Sequence, residues 1–229
     1  MYGYPCAQLF KPWNPKVTEL PTEKPIDPKI LDNLDLIIFG GGEDIAPKLS
    51  QHNNVASWRT YTDSSPRDIW EIELVRLNRL RDKPVKMLGI CRGAQFLCAM
   101  HGGWLVQDVN NHAGRDHSVV LPYYHGDNDT NSIVVNSYHH QMMVPPINDS
   151  TILAYATNVA SKYRFDTEKV GDGERYGFVP HRDAEIVAFS CKGKFCSIGI
   201  QGHPEYLDVD DPFAELSRSL VYRYLGVPR

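Results

Sequence analysis

No run in this 229-residue chain approaches the roughly 18 consecutive apolar residues of a membrane span. Positive charge is scarce in any one place. Lys and Arg total 24 against 28 Asp and Glu, for a net charge of -4, and no cluster of basic residues stands out. A phosphate-gripping surface needs concentrated positive charge, so no nucleic acid is expected as a partner. Cysteine is sparse as well. The five residues Cys6, Cys91, Cys98, Cys191 and Cys196 are an odd number without a C-x-x-C pair. That is a poor disulfide framework and a poor zinc site. It suits a reducing compartment in which one thiol reacts and the others belong to the core. Met1-Tyr2-Gly3-Tyr4-Pro5 carries neither the basic nor the apolar region of a signal peptide. The expected location is the cytoplasm, with no membrane contact.

What is present is the composition of a globular α/β chain: 42% hydrophobic residues and a mean hydropathy of -0.37. The length fits a single domain over 1–229 with a sizeable core. Leu34 to Phe39 reads as a strand covered on both faces, and it ends in Gly40-Gly41-Gly42. Pro66 opens a helix whose expected apolar face is Ile69, Ile72, Val75, Leu77 and Leu80. Val85 to Ile90 is the next strand. Strand, helix, strand implies a right-handed crossover in a parallel sheet, with both strands' carboxyl ends on the ligand-binding edge. Residues 104–145 read as short antiparallel strands. Residues 156–183 form a long polar stretch, either a lid or plain surface. Glu185–Phe189 and Lys194–Gln201 form a hairpin, and an amphipathic helix runs from about Pro212 to Leu225.

The stretch that carries chemistry is Gly89-Ile90-Cys91-Arg92-Gly93, at the junction of an apolar strand and a helical pattern. Small residues two positions to either side let the backbone turn sharply, as in a nucleophile elbow. Such a turn presents the thiol at a helix N-terminus, where the dipole favours thiolate and a developing oxyanion. A buried structural cysteine beside a tight turn is the plainer alternative. Gln95 is one helical turn on, near the face of the thiol, where an amide can read a polar substrate; a solvated helix residue is the alternative. His203 and Glu205 supply a base and its orienting carboxylate, on one side of a segment taken as extended and stiffened by Pro204. The N–H of Arg92, with one from the Gly40–Gly42 loop if the strands are neighbours, would stabilise the oxyanion. His112, His117 and His125 are loosely spaced and read as surface or hydrogen-bonded residues. No convincing metal ligand set is found.

These segments resemble a class I glutamine amidotransferase domain, closest to the γ-glutamyl hydrolase branch of peptidase C26 type, which includes γ-glutamyl-γ-aminobutyrate hydrolases. The resemblance rests on Phe39-Gly40-Gly41-Gly42-Glu43-Asp44-Ile45-Ala46-Pro47, on Arg67-Asp68 with Glu71, on Leu88 to Gln95, on Gly102 to Asp108, on Asn136-Ser137-Tyr138-His139-His140-Gln141 and on Gly199 to Glu205. It covers roughly residues 34 to 207. It implies a flavodoxin-like α/β fold: a mostly parallel open sheet flanked by helices, with a small antiparallel β excursion. It also implies Cys91 as nucleophile, His203 as base, Glu205 as its orienter, and Gly41 and Arg92 as oxyanion donors. Gln95, Tyr138, His139 and His140 would hold the α-amino and α-carboxylate ends of a γ-glutamyl group. The implied reaction hydrolyses γ-glutamyl amides through a thioester, with no metal or organic cofactor. The alternatives are a glutaminase component that delivers ammonia to a synthetase or ligase partner, and a non-catalytic binding module on the same fold. Oligomeric state is left open. Two departures from the family pattern stand out. The apolar strand with which members usually begin is missing or replaced, and the 156–183 stretch is longer than usual.

Overall fold

In the computed structural model, the described residues are 3–20, 25–50, 65–106, 108–109, 112–122, 132–157, 164–165, 169–170, 173–174 and 183–228. The strands are β1 (Leu36–Phe39), β2 (Lys86–Ile90), β3 (Trp104–Val106), β4 (Asp108–Val109), β5 (His117–Val120), β6 (Ser132–Val135), β7 (Met142–Val144), β8 (Ser150–Ala156), β9 (Arg164–Phe165), β10 (Lys169–Val170), β11 (Gly173–Glu174), β12 (Ala184–Cys191) and β13 (Lys194–Ile200). The α-helices are α1 (Gly3–Leu9), α2 (Pro66–Arg79), α3 (Arg92–Met100) and α4 (Pro212–Leu220), the last continued by a π-helical turn, Val221–Leu225.

Seven strands form one sheet in the order β1-β2-β13-β12-β8-β5-β6. β2 pairs in parallel with both β1 and β13, and each later neighbour is antiparallel. Followed across the sheet, β1, β2, β13, β8 and β6 run one way and β12 and β5 the other, so the sheet is mostly parallel in strand direction. Three separate antiparallel pairs stand apart from it among the described residues, β3 with β7, β4 with β9 and β10 with β11, while β5 and β6 extend the main sheet instead. β1 is at the edge, and among the described residues no strand precedes it.

Two apolar layers cover the sheet. One joins Leu88, Ile90, Ile198 and Ile200 to Leu9 and Phe10 near α1 and to Phe213, Leu216 and Leu220 of α4. The other joins Ile37, Phe39 and Met87 to Leu74 and Val75 of α2 and to Phe96 and Leu97 of α3. β2 reads as an apolar run over Met87–Ile90 because both its faces are covered.

α2 departs from the expected apolar stripe. Ile69 and Leu80 are exposed, whereas Asp68, Glu71 and Asn78 are buried. Burying carboxylates is tolerated only where cations meet them, and the guanidinium of Arg92 meets both. The helix starts at a capping box, with Ser65 and Asp68 bonding each other's backbone N–H groups and Pro66 in the first turn.

The cysteines also depart in part. Cys6, Cys91 and Cys98 are free and buried, but Cys191 and Cys196 are joined by a disulfide. Only the β12–β13 hairpin brings that pair together. Residues 51–64 of the polar excursion, His125, and most of the proposed lid (158–163, 166–168, 171–172 and 175–182) lie outside the described residues.

Candidate active site

Three loops meet at one sheet edge because three parallel strands end there in register. Phe39 is opposite Gly89, and Ile90 is opposite Ile200. Gly40 leaves β1, Cys91 leaves β2, and His203 follows β13 by three residues. The Cys91 N–H donates to Ile200 O at 2.7 Å, which locks the elbow to β13.

Cys91 takes φ 51° and ψ -109°, a region that non-glycine residues avoid. The glycines on either side make this turn passable. A Cβ on Gly89 would run into the backbone of Gly93, and one on Gly93 into the carbonyl of Phe39. The turn delivers the thiol to the N-terminus of α3, whose first N–H groups, Arg92's among them, have no intrahelical acceptor. Gly41 comes equally close: a Cβ there would lie 2.9 Å from His203 Cε1 and 3.7 Å from Cys91 Cβ. Gly42 has φ +145°, which only glycine adopts readily.

His203 Nδ1 donates to Glu205 Oε1 at 2.8 Å. The intervening segment is not extended: Pro204–Tyr206 is a 3-10 turn capped by His203, and the turn brings the carboxylate back to the ring. Proline suits the first position of such a turn for the same reason it stiffens a strand, its fixed φ. The His203 pKa is raised to about 10. Burial acts to lower it, but hydrogen bonds to Cys91 and Glu205, and their negative charge, outweigh burial. Tyr206 stacks on the imidazole at 4.8 Å and Tyr138 meets it edge-on at 5.6 Å. Asn136 clamps the backbone of His203 on both sides. Its amide nitrogen donates to His203 O at 2.8 Å and its Oδ1 accepts from His203 N–H at 2.8 Å. The other cysteines near the core are held as thiols. Burial, with the charge of Glu205, pushes Cys6 up to about 12, and burial pushes Cys98 up as well.

The glycine loop is held by α2. Arg67 donates to Gly40 O at 2.8 Å and Gly41 O at 2.9 Å, and its Nε donates to Glu71 at 2.8 Å. Asp68 accepts from Ala46 N–H at 3.2 Å. Arg92, buried at 1% exposure, bridges Asp68 and Glu71. Elbow and glycine loop are thus one ionic unit. Its pieces are visible in the sequence, but their mutual contact is not.

The remaining predicted residues divide. Gln95 is buried and donates from Nε2 to Gln141 O at 3.2 Å, tying α3 to the 136–141 loop. Tyr138 is 58% exposed at the mouth beside His203. His140 Nε2 bonds Asp44 Oδ1 at 3.0 Å. His139 is buried. Its Nδ1 donates to Gln141 O at 2.9 Å and its Nε2 faces Glu185 Oε2 at 3.7 Å. His112 is fully buried, not at the surface, with Nε2 on Asp183 Oδ2 at 2.9 Å. His117 Nε2 meets Glu185 Oε1 at 3.0 Å. Only the pairing of strands far apart in sequence makes that histidine cluster, so spacing alone could not reveal it.

Residues 17–205 match the peptidase C26 family. The chain is 28% identical over 150 residues to the glutamine amidotransferase-like protein YvdE of Lactococcus lactis subsp. lactis. That match covers 59% of this chain and 62% of that protein, less than two thirds of the relative's length. In structure the chain resembles a GMP synthase component from Thermoplasma acidophilum. The TM-score is 0.61 at 15% identity, over 99% of this chain and 88% of the other. It also resembles a glutamine amidotransferase from Thermotoga maritima, with a TM-score of 0.51 at 16% identity over 95% and 75% of the two chains. Among the described residues, no helix is long and apolar enough to cross a membrane.

Proposed function

Because this chain belongs to the peptidase C26 family, we propose that it is a cysteine hydrolase of γ-glutamyl amide bonds. The observation that carries the reading is the strained elbow: Cys91 at positive φ, packed with Gly41 against a histidine whose Nδ1 is held by Glu205. Cys91 Sγ attacks the γ-carbonyl. The N–H groups of Arg92 and Gly41 receive the oxyanion, and His203 passes a proton to the departing amine. Water, deprotonated by His203, then attacks the γ-glutamyl thioester and releases glutamate with the free thiol. Gln95, Tyr138 and His140 border the acyl half of the substrate in this reading. His139 supports their loop from behind.

The test is turnover of free glutamine and of a panel of larger γ-glutamyl amides by the chain alone, read as released ammonia or amine. Turnover of the amides by the isolated chain is the expected result. Ammonia release only when a synthetase is added would assign the chain to an amidotransferase assembly instead. No turnover of any of them by folded protein would overturn both enzyme readings.

The raised His203 pKa sets a pH profile. The imidazole stays charged up to about pH 10, so the alkaline limb of kcat/KM is expected near there instead of near the ordinary 6.5. Glu205→Gln removes a charge that holds the proton, and the limb should move down by about one unit or more. The sign for stability is the same. A folded-state pKa above the unfolded one stabilises fully below 6.5, and that contribution is lost as pH rises through about 10. An alkaline limb left unmoved by Glu205→Gln would contradict the pairing.

A further inference from the structure

Behind the 136–141 loop, three imidazoles converge on one buried carboxylate. His117 Nε2 is 3.0 Å and His112 Nδ1 3.5 Å from Glu185 Oε1, and His139 Nε2 is 3.7 Å from Oε2. Donors of His112, His117 and Glu185 lie within 4.8 Å of one another. We propose that His112, His117, His139 and Glu185 form a structural site for a divalent cation of the zinc class.

The first argument is orientation. Each ring presents one nitrogen to Glu185 and gives the other to a fixed acceptor. His112 Nε2 is on Asp183 Oδ2 at 2.9 Å, His139 Nδ1 on Gln141 O at 2.9 Å, and His117 Nδ1 faces Arg115 O at 3.4 Å. A carboxylate or carbonyl behind each imidazole is what fixes the tautomer of a metal-bound histidine. The second is spacing. Zinc bonds of about 2.0–2.1 Å in a tetrahedron put neighbouring donors roughly 3.3 Å apart, and the three distances to Glu185 bracket that value. The third is satisfaction. His139 Nε2 and Glu185 Oε2 are buried and have no hydrogen-bond partner among the described residues, and 3.7 Å is too long to be one. A cation between them satisfies both. Charge also balances: two positive charges are met by Glu185 and by Asp183 behind His112.

His112, His117 and Glu185 make the converged set, and His139, 3.7 Å from Glu185 Oε2, would swing in as the fourth ligand; a sphere closed by four side chains makes the site structural and not catalytic. It joins three separate pieces of chain. His112 and His117 come from the 112–117 segment, Glu185 from β12, and His139 from the loop that also carries Asn136, the clamp on His203. The expectation that no metal ligand set exists is revised on these grounds. The three histidines and the glutamate come from β5, β12 and two loops, with no fixed spacing to betray them.

The test uses the full chain stripped with chelator, then given zinc alone, desalted and measured by elemental analysis, with cobalt as an optical probe. About one zinc per chain is expected, with the absorption of tetrahedral cobalt. With zinc at about a hundredfold over Kd, the thermal midpoint should rise by about 5 to 10 °C. His117→Asn, at the partly exposed rim, and Glu185→Gln should lose the zinc, and His101→Asn, beside the disulfide, should keep it. A stripped wild-type chain that takes up no zinc and shows no shift of its midpoint would overturn the site. So would full zinc retention by both His117→Asn and Glu185→Gln.

Discussion

Replacing Cys91 with alanine is expected to lower kcat/KM for γ-glutamyl amides by about 10⁴- to 10⁶-fold while leaving the protein folded. The loss is large because no other thiol can substitute. Cys98 is in the middle of α3 and Cys6 is in α1, and burial pushes both thiols well above the range in which thiolate forms at neutral pH. Folding should survive because alanine keeps the Cβ that Cys91 places in the core, and the elbow's backbone bond to Ile200 remains. The strain offers an internal check. At φ 51° an alanine keeps the penalty and a glycine removes it, so Cys91→Gly should be more stable than Cys91→Ala by about 1 kcal/mol. Denaturant midpoints of the two variants, measured beside their residual turnover, separate strain from chemistry. A Cys91→Ala enzyme retaining a tenth or more of wild-type turnover, on the order of one pK-unit equivalent in barrier, would contradict the assignment.

The second large effect belongs to stability. Arg92→Met is expected to destabilise the fold by about 3–5 kcal/mol, because it leaves Asp68 and Glu71 buried without their shared cation. Glu71 keeps Arg67 at 2.8 Å, but Asp68 keeps only backbone N–H groups. The same substitution retains the N–H at position 92, so the proposed oxyanion donor itself survives. Activity should therefore fall through displacement of the Gly40–Gly42 loop and the elbow, not through loss of a donor. Urea unfolding measures the first effect, and kcat on the folded fraction measures the second. The triple variant Asp68→Asn, Glu71→Gln, Arg92→Met should recover part of the lost stability by removing the stranded charges. A triple variant no more stable than Arg92→Met would contradict the electrostatic account.

The legible part of this protein is local. Gly89, Cys91 and Gly93 announce the elbow because a strained turn excludes Cβ atoms, and that constraint is written at fixed spacing. The apolar run Leu36–Phe39 of β1 announces a covered strand for the same kind of reason. What the sequence hides depends on contacts between distant segments. Counting hydrophobicity puts Ile69 in the core of α2, yet Asp68 and Glu71 take the buried face once Arg92 is beneath them. Cys191 and Cys196 read as core thiols, but the hairpin pairs them. Glu205 does reach His203, through a 3-10 turn and not an extended segment. The cluster of His112, His117, His139 and Glu185 is the extreme case, because it exists only where β5, β12 and two loops meet.

The most direct measurement is peptide mapping of the protein after incubation with a glutamine-mimicking diazoketone. The account predicts a single adduct on Cys91, formed in parallel with loss of turnover and slowed by a γ-glutamyl amide competitor. An adduct on Cys6 or Cys98 with Cys91 unmodified, or full inactivation with Cys91 still free, would contradict it.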